Sequence, residues 1–152
     1  MNKLPQSVLI AAVLLVSSLA QAANKPKVEF INSEKAKAAN YPFSQAVQVD
    51  HTLYLSGQIG TDPQTGKLVE GGIEKESRQT MQNIQDLLVE HGHSMNDLVK
   101  CTVMLADIKE WPAFNGVYRG FFDNRFPARS AFAGSGLAMG ARVEVECMAI
   151  VD

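Results

Sequence analysis

An arginine directly after a proline bend is the residue of this chain best suited to hold a small anion. Arg129 follows Phe126-Pro127-Ala128 and opens a short apolar run. Pro127 fixes its own φ angle and biases Phe126 toward an extended backbone, so the direction of the Arg129 side chain is well determined. A guanidinium is always charged and presents a planar fork of donors that matches a carboxylate. The bend therefore predicts an anchor for a carboxylate ligand.

A run with acidic residues at alternate positions follows that arginine. Glu144 and Glu146 lie within residues 141–147, which have the pattern of a strand, and so they project from one face of it. We interpret Glu144 as the group that handles protons beside the ligand held by Arg129, and Glu146 as the acid with which it could be confused. The alternative explanation is a structural ion pair between Arg129 and either acid.

The first 22 residues have the features of an export signal. Lys3 precedes an apolar run over residues 8–16 that is too short to span a bilayer, and Ala20-Gln21-Ala22 matches a cleavage site. We expect cleavage after Ala22 and a periplasmic mature protein, with an uncleaved anchor as the alternative. No membrane partner is expected after cleavage. The lysine-rich stretch 23–40 is predicted to be a mobile arm, and residues 41–152 a single domain.

Charge and histidine placement argue against two classes of function. The chain has 14 basic and 16 acidic residues without a basic cluster, so nucleic acid is not an expected partner and ribonuclease activity is disfavoured. His91 and His93 lie at the end of a predicted helix, where histidine complements the helix dipole. We predict no metal site.

The two cysteines leave two interpretations open. Cys101 and Cys147 are not spaced as metal ligands, and both lie in apolar, strand-like runs. An oxidising compartment would make a bridge conceivable, but free buried cysteines are common in such runs and are favoured here.

The periodicity of apolar residues predicts the elements that position these groups. A hairpin over residues 43–58 turns at Asp50-His51, and an amphipathic helix over residues 72–90 stops at Gly92. A strand over 98–105, a second helix over 111–124 and strands after the bend and over 143–151 complete the chain. This order predicts an α+β fold with a mixed sheet.

The composition of two strands indicates that the chain does not act alone. The strands at 98–105 and 143–151 carry apolar residues on both faces, which requires cover on both faces of the sheet. Two helices cover only one face, so we expect a second copy of the chain to cover the other.

With these motifs in order, the sequence resembles the Rid family, the YjgF-type imine/enamine deaminases. The resemblance covers residues 35–151 and is carried by YPFSQAV (41–47), LSGQI (55–59), DPQTGKLV (62–69), GGI (71–73), RQ (78–79), VKCTV (99–103), FN (114–115) with Tyr118 and FF (121–122), FPARS (126–130) and VEVE (143–146). It implies a chorismate-mutase-like fold with two helices on one face of the sheet, assembled as a homotrimer. It also implies hydrolysis of 2-imino or 2-enamino acids to 2-keto acids and ammonium in a cleft between subunits, without a cofactor.

The resemblance also implies roles for individual residues. The carboxylate-binding arginine corresponds to Arg129 and the acid associated with water to Glu144. The serine of the SGQ motif corresponds to Ser56, with the Gly57 backbone beside it, and the helix asparagine to Asn115.

Two positions depart from the family pattern. Phe43 replaces the usual tyrosine and keeps the ring without the hydroxyl, while Ala131 replaces a frequent cysteine and keeps only a backbone contact. Both leave the carboxylate clamp intact and put the substrate range in question. A non-catalytic small-carboxylate binder and a holdase-like trimer are therefore the alternatives to a deaminase.

Overall fold

The structure is a computed structural model that describes residues 25–123 and 125–152. The predicted export signal and the first residues of the predicted arm lie outside these residues. The described part contains three α-helices and six strands. The helices are α1 Glu34–Ala38, α2 Ile73–Glu90 and α3 Trp111–Arg119. The strands are β1 Val28–Ile31, β2 Ala46–Val49, β3 Thr52–Ile59, β4 Leu98–Leu105, β5 Ala128–Ala133 and β6 Val143–Ile150. Short 3₁₀ turns cover Met95–Asp97, Ile108–Glu110 and Ala138–Gly140.

The six strands form one mixed sheet in the order β1-β2-β3-β6-β4-β5. The β4 and β5 strands are parallel, and every other neighbouring pair is antiparallel. The predicted α+β class with a mixed sheet is confirmed. The β5 strand, which carries Arg129, is an edge strand, so half of its backbone hydrogen-bonding groups point away from the sheet.

The two long helices pack against each other and against one face of the sheet. Their buried side chains form the core with Val143, Val145 and Cys147 of β6. Helix α2 ends where predicted, because Gly92 adopts a φ of 81° that favours glycine. No helix within residues 25–123 and 125–152 is long and apolar enough to cross a membrane.

The opposite face of the sheet carries apolar side chains that remain exposed in one protomer. Strand register places them on the same side as Met148. They include Phe30, Tyr54, Phe132 and Ile150, which are between 45% and 70% exposed. Isolated apolar residues on a surface are ordinary, but a row of them on one sheet face indicates an interaction surface.

Two predictions about the chain's organisation are wrong. Residues 28–38 are not a mobile arm, because β1 pairs with β2 and α1 follows it with a Ser33 cap. Edge-strand pairing stabilises β1 despite the polar sequence around it. The helix predicted over 111–124 ends at Arg119, because Gly120 closes it and Phe122 turns into the core.

The favoured interpretation of the cysteines is also wrong, because Cys101 and Cys147 form a disulfide. The two residues lie directly opposite each other in the β4–β6 register, with their Cα atoms 4.1 Å apart. Both are buried, so the bridge ties the two central strands from within the core.

Candidate active site

Arg129 is held in a fixed position on the helix-covered side of the sheet. Its Nη2 donates a hydrogen bond to Asn115 Oδ1 on α3, with 2.6 Å between the two atoms. This contact uses one of the five N–H donors of the guanidinium and provides no negative charge. Within the described residues, no carboxylate lies within 4.0 Å of it. The predicted alternative of an ion pair with Glu144 or Glu146 is therefore wrong.

Two aromatic rings of α3 support the same guanidinium. Its Cζ atom lies 4.5 Å from the ring centroid of Tyr118 and 5.7 Å from that of Phe114. Both distances suit a cation–π contact, which favours the charged group over the ring face. Burial raises the pKa of the Tyr118 phenol, and the positive charge of Arg129 partly offsets this rise. The arginine is thus positioned without being neutralised.

Ala131 follows Arg129 by two residues on the same face of β5. Its partner in the register is Val103, and the side chain packs against the core. The side chain offers no polar atom, so only its backbone groups at the sheet edge could contact a ligand. We call Asn115, Arg129 and Ala131 the arginine half-site.

Glu144 lies over Gly57, where β3 bulges. The register between β3 and β6 shifts between Leu55 and Gln58. A Cβ atom on Gly57 would stand 2.0 Å from Glu144 Oε1, so the carboxylate occupies the space that glycine leaves free. Burial raises the pKa of the Glu144 carboxyl above its usual value, and the like charge of Glu146 adds to this rise. The group is therefore a better proton acceptor than an exposed glutamate.

Ser56 precedes Gly57 and is tied to the loop before β2. Its Oγ donates to the carbonyl oxygen of Ser44 over 2.6 Å, and its backbone N–H donates to the Gln45 carbonyl. Because its proton is already committed, the Ser56 hydroxyl has only lone pairs to offer a ligand.

Phe43 lies directly before Ser44 and is 54% exposed. Its ring stacks on that of Tyr41, with centroids 5.3 Å apart and planes 3° from parallel. We call Phe43, Ser56, Gly57 and Glu144 the glutamate half-site, since chain order and direct contacts link them.

The two half-sites lie on opposite faces of the sheet within one protomer. Arg129 shares a register row with Cys101 and Cys147, whose side chains lie in the core under the helices. Glu144 lies between Val143 and Val145, which are buried on that same side, so its own side chain points to the other face. The structure thus brings together the members of each half-site and does not unite Arg129 with Glu144.

Two cavities among the described residues lie apart from both half-sites. One of about 470 Å³ is lined by residues that include Gly72, Arg78 and Arg142, and another of about 260 Å³ by Met95, Arg125 and Pro127 among others. No residue of either half-site lines these two cavities.

Two contributors escaped the sequence analysis. Tyr118 is named in the sequence analysis only as part of the family pattern, and in the structure it also supports Arg129. Its position three residues after Asn115 places both on one side of the helix, a signal that could have linked them. No function was predicted for Tyr41 from the sequence.

The chain is similar in sequence to known proteins. The family model described as Endoribonuclease L-PSP matches residues 33–151. A goat (Capra hircus) protein named 2-iminobutanoate/2-iminopropanoate deaminase is 47% identical over 120 residues, which cover 79% of this chain and 88% of the goat protein.

Two solved structures are similar in fold as well as in sequence. YyfA from Yersinia pestis, described as a protein of the conserved Rid family, is 39% identical with a TM-score of 0.77, covering 82% of this chain and 100% of YyfA. TdcF from E. coli, solved with bound serine, is 30% identical with a TM-score of 0.70, covering 74% of this chain and 90% of TdcF.

Proposed function

This chain belongs to the Rid family, the group matched by the Endoribonuclease L-PSP model, and we propose that it hydrolyses 2-imino and 2-enamino acids to 2-keto acids and ammonium. The observation that carries this proposal is the guanidinium of Arg129, held by Asn115 and Tyr118 yet without a carboxylate partner among the described residues. A charge fixed in this way is suited to an anionic ligand.

We place the complete site between two copies of the chain. The arginine half-site of one protomer faces the glutamate half-site of its neighbour, and the exposed apolar sheet face supplies the contact between them. Two observations support this arrangement: the half-sites lie on opposite faces of one sheet, and Arg129, Glu144 and Phe43 are each at least partly exposed in one protomer. The family resemblance favours a cyclic trimer, in which the same contact repeats three times.

The reaction follows from the groups that each half-site offers. Arg129 binds the substrate carboxylate through two parallel hydrogen bonds and so orients the adjacent C=N carbon. Glu144 takes a proton from a water molecule, whose oxygen then bonds to that carbon. As the oxygen adds, the C=N π bond breaks and Glu144 passes the proton to the nitrogen, which gives a carbinolamine. Glu144 then transfers the hydroxyl proton to the same nitrogen, so that the C–N bond breaks and ammonia leaves as the C=O bond forms. No cofactor is required, because an imine conjugated to a carboxylate is already an electrophile.

Ser56 has a role that its hydrogen bond defines. Since its hydroxyl donates to Ser44, it accepts a hydrogen bond from the N–H of the imine and orients the leaving nitrogen. The serine bound to TdcF has its carboxylate and amino group on one carbon, which supports a ligand of this size for the present chain.

The proposal is tested by following freshly generated 2-iminopropanoate with and without the protein. We expect decay to the keto acid well above the spontaneous rate. Unaccelerated decay together with tight keto acid binding would establish the non-catalytic binder instead. Suppression of protein aggregation that is insensitive to Arg129→Ala would support the holdase.

Gly57→Ala should separate catalysis from folding. The added Cβ would collide with Glu144 Oε1, the end of a flexible side chain, so the carboxylate moves and the fold remains. We expect a nearly unchanged melting temperature and a kcat/KM reduced about 100-fold, since small misplacements of catalytic groups have effects of this size. Gly116→Ala is the control, because nothing lies within 4 Å of its added Cβ. Equal activity of the two variants would contradict the role of Glu144.

The pH profile should report the environment of Glu144. The ionised carboxylate is the active form, so activity falls as the pH drops through the pKa of Glu144. Because that pKa is raised, this acid limb lies at higher pH than for an ordinary glutamate. Glu146→Gln removes the neighbouring like charge and should move the limb of kcat/KM to lower pH. If the acid limb of kcat/KM does not move in Glu146→Gln, the titrating group is not Glu144.

We also propose that the protein is exported. The supporting observation is the Cys101–Cys147 bridge, which forms and persists in oxidising compartments. The intact mass of protein from a periplasmic fraction should correspond to residues 23–152 with no free thiol. A retained N-terminus in a membrane fraction would support the uncleaved anchor.

A further inference from the structure

We propose that Tyr41 and Phe43 form an aromatic wall that selects 2-imino acids with large apolar side chains. This inference rests on the proposed function, because it assigns a binding surface to the part of the substrate that Arg129, Ser56 and Glu144 do not contact. The central carbon of a 2-imino acid carries a carboxylate, a nitrogen and a side chain. Arg129 binds the carboxylate, and Ser56 and Glu144 contact the nitrogen, so only the substrate side chain lacks a contact.

The wall is an exposed apolar surface that includes Phe43 of the glutamate half-site and extends it to Tyr41. Tyr41 is 57% exposed and Phe43 54%, and their rings stack in parallel with centroids 5.3 Å apart. Aromatic rings are among the residues whose burial releases the most free energy, so two of them side by side in water are suited to an apolar ligand group.

The segment that carries the rings is fixed at its base. Gln45 donates from its backbone N–H to Asn32 Oδ1 and accepts from Ser33 N–H at its side-chain oxygen, over 3.0 and 2.7 Å. Ser44 accepts from Ser56 Oγ at its carbonyl oxygen and from Asn32 Nδ2 at its hydroxyl. Pro42 restricts the backbone between the two rings. The wall is therefore formed before a ligand arrives, which lowers the entropic cost of binding.

Ser56 links the aromatic wall to the groups that contact the reacting atoms. The Ser44 carbonyl that follows Phe43 holds the Ser56 hydroxyl, and Gly57 beside it lies under Glu144. A substrate whose nitrogen contacts Ser56 can therefore extend its side chain along the rings. Because phenylalanine at position 43 has no hydroxyl, that ring offers only hydrocarbon.

The chemistry of the wall predicts a substrate class. The goat relative is named for imino acids with a methyl or an ethyl side chain. A flat apolar surface gains little from a methyl group and more from each added carbon. We infer that this chain prefers imino acids derived from amino acids such as leucine or phenylalanine.

The test compares imino acids made from leucine and from alanine with an amino acid oxidase. For the unaltered protein, we expect kcat/KM for the leucine-derived imine to exceed that for the alanine-derived imine about tenfold or more, the scale of a few methylene contacts. The ratio should fall toward one in the Tyr41→Ala/Phe43→Ala variant. It should be unchanged in Val89→Ala, which removes an apolar side chain that is 62% exposed on α2. A ratio below one in the unaltered protein, or the same ratio in the double variant, overturns the proposal.

A second measurement keeps the wall testable if no imine is hydrolysed and the proposed function fails. Calorimetric titration with pyruvate and with 4-methyl-2-oxopentanoate measures binding alone. Tighter binding of the larger keto acid, lost in Tyr41→Ala/Phe43→Ala, would support the wall without catalysis. Equal affinities, or no binding of either keto acid, would overturn it.

Discussion

Arg129→Ala should abolish saturable turnover while the protein remains folded. A hydrogen bond to a charged group contributes about 1.5–3 kcal/mol, so losing the fork weakens binding of a keto acid by at least about ten- to a hundredfold. The fold should persist, because the side chain is partly exposed and its partner Asn115 can turn to solvent. Calorimetric titration with pyruvate and a steady-state assay measure the two effects.

The control for this variant is Arg119→Ala, which removes an exposed arginine from the last turn of α3. This variant should bind pyruvate and hydrolyse the imine substrate as the unaltered protein does. Arg129→Lys keeps the positive charge but not the planar fork. Its affinity for pyruvate and its turnover should lie between those of Arg129→Ala and Arg119→Ala. Undiminished keto acid binding in Arg129→Ala would show that the arginine is structural.

Glu144→Gln should remove catalysis and leave binding in place. General acid–base groups contribute about 10²- to 10⁴-fold to rates, so we expect kcat to fall by that amount while the affinity for pyruvate changes little. Glutamine fills the same space over Gly57 and cannot take a proton from water.

Glu146→Gln is the matched control for that substitution. It lies two residues away on the same face of β6, and its side chain is exposed. It should retain kcat near its pH optimum, apart from the moved acid limb. If Glu146→Gln were the inactive variant instead, the base would have been assigned to the wrong residue of the pair.

Much of the fold could be predicted from the local pattern of apolar and polar residues. Helix α2 and strand β4 have bounds at or within one residue of the prediction, because long amphipathic or apolar runs determine their own type. The exposed sheet face could be predicted from the same kind of pattern, because β6 is apolar on both sides and two helices cover only one face of the sheet. These properties depend on residues close together in the chain.

The features that were missed depend on pairing between distant segments. Alternation places Glu144 on a face of β6, but its relation to Arg129 depends on the register across β4, which no local pattern specifies. The disulfide has the same origin, because Cys101 meets Cys147 only in that register. Strand β1 was missed because four residues of an edge strand carry a weak signal, and their stability comes from the partner strand.

The family resemblance predicted a cleft between subunits, and the structure shows which of the predicted site residues meet within one protomer. Asn115 and Arg129 do meet, and so do Gly57 and Glu144. Local sequence patterns do not predict that these pairs lie on opposite faces of one sheet, because that depends on the strand register.

Mixing two inactive variants tests most directly the central claim that two protomers share the site. Arg129→Ala protomers retain Glu144, and Glu144→Gln protomers retain Arg129. In a cyclic oligomer refolded from an equal mixture, about a quarter of the interfaces join the two intact half-sites. We predict that the mixture recovers about a quarter of the activity of the unaltered protein, although each variant alone is inactive. A mixture that exchanges its subunits and remains inactive would show that both residues act within one protomer, and would contradict the shared site.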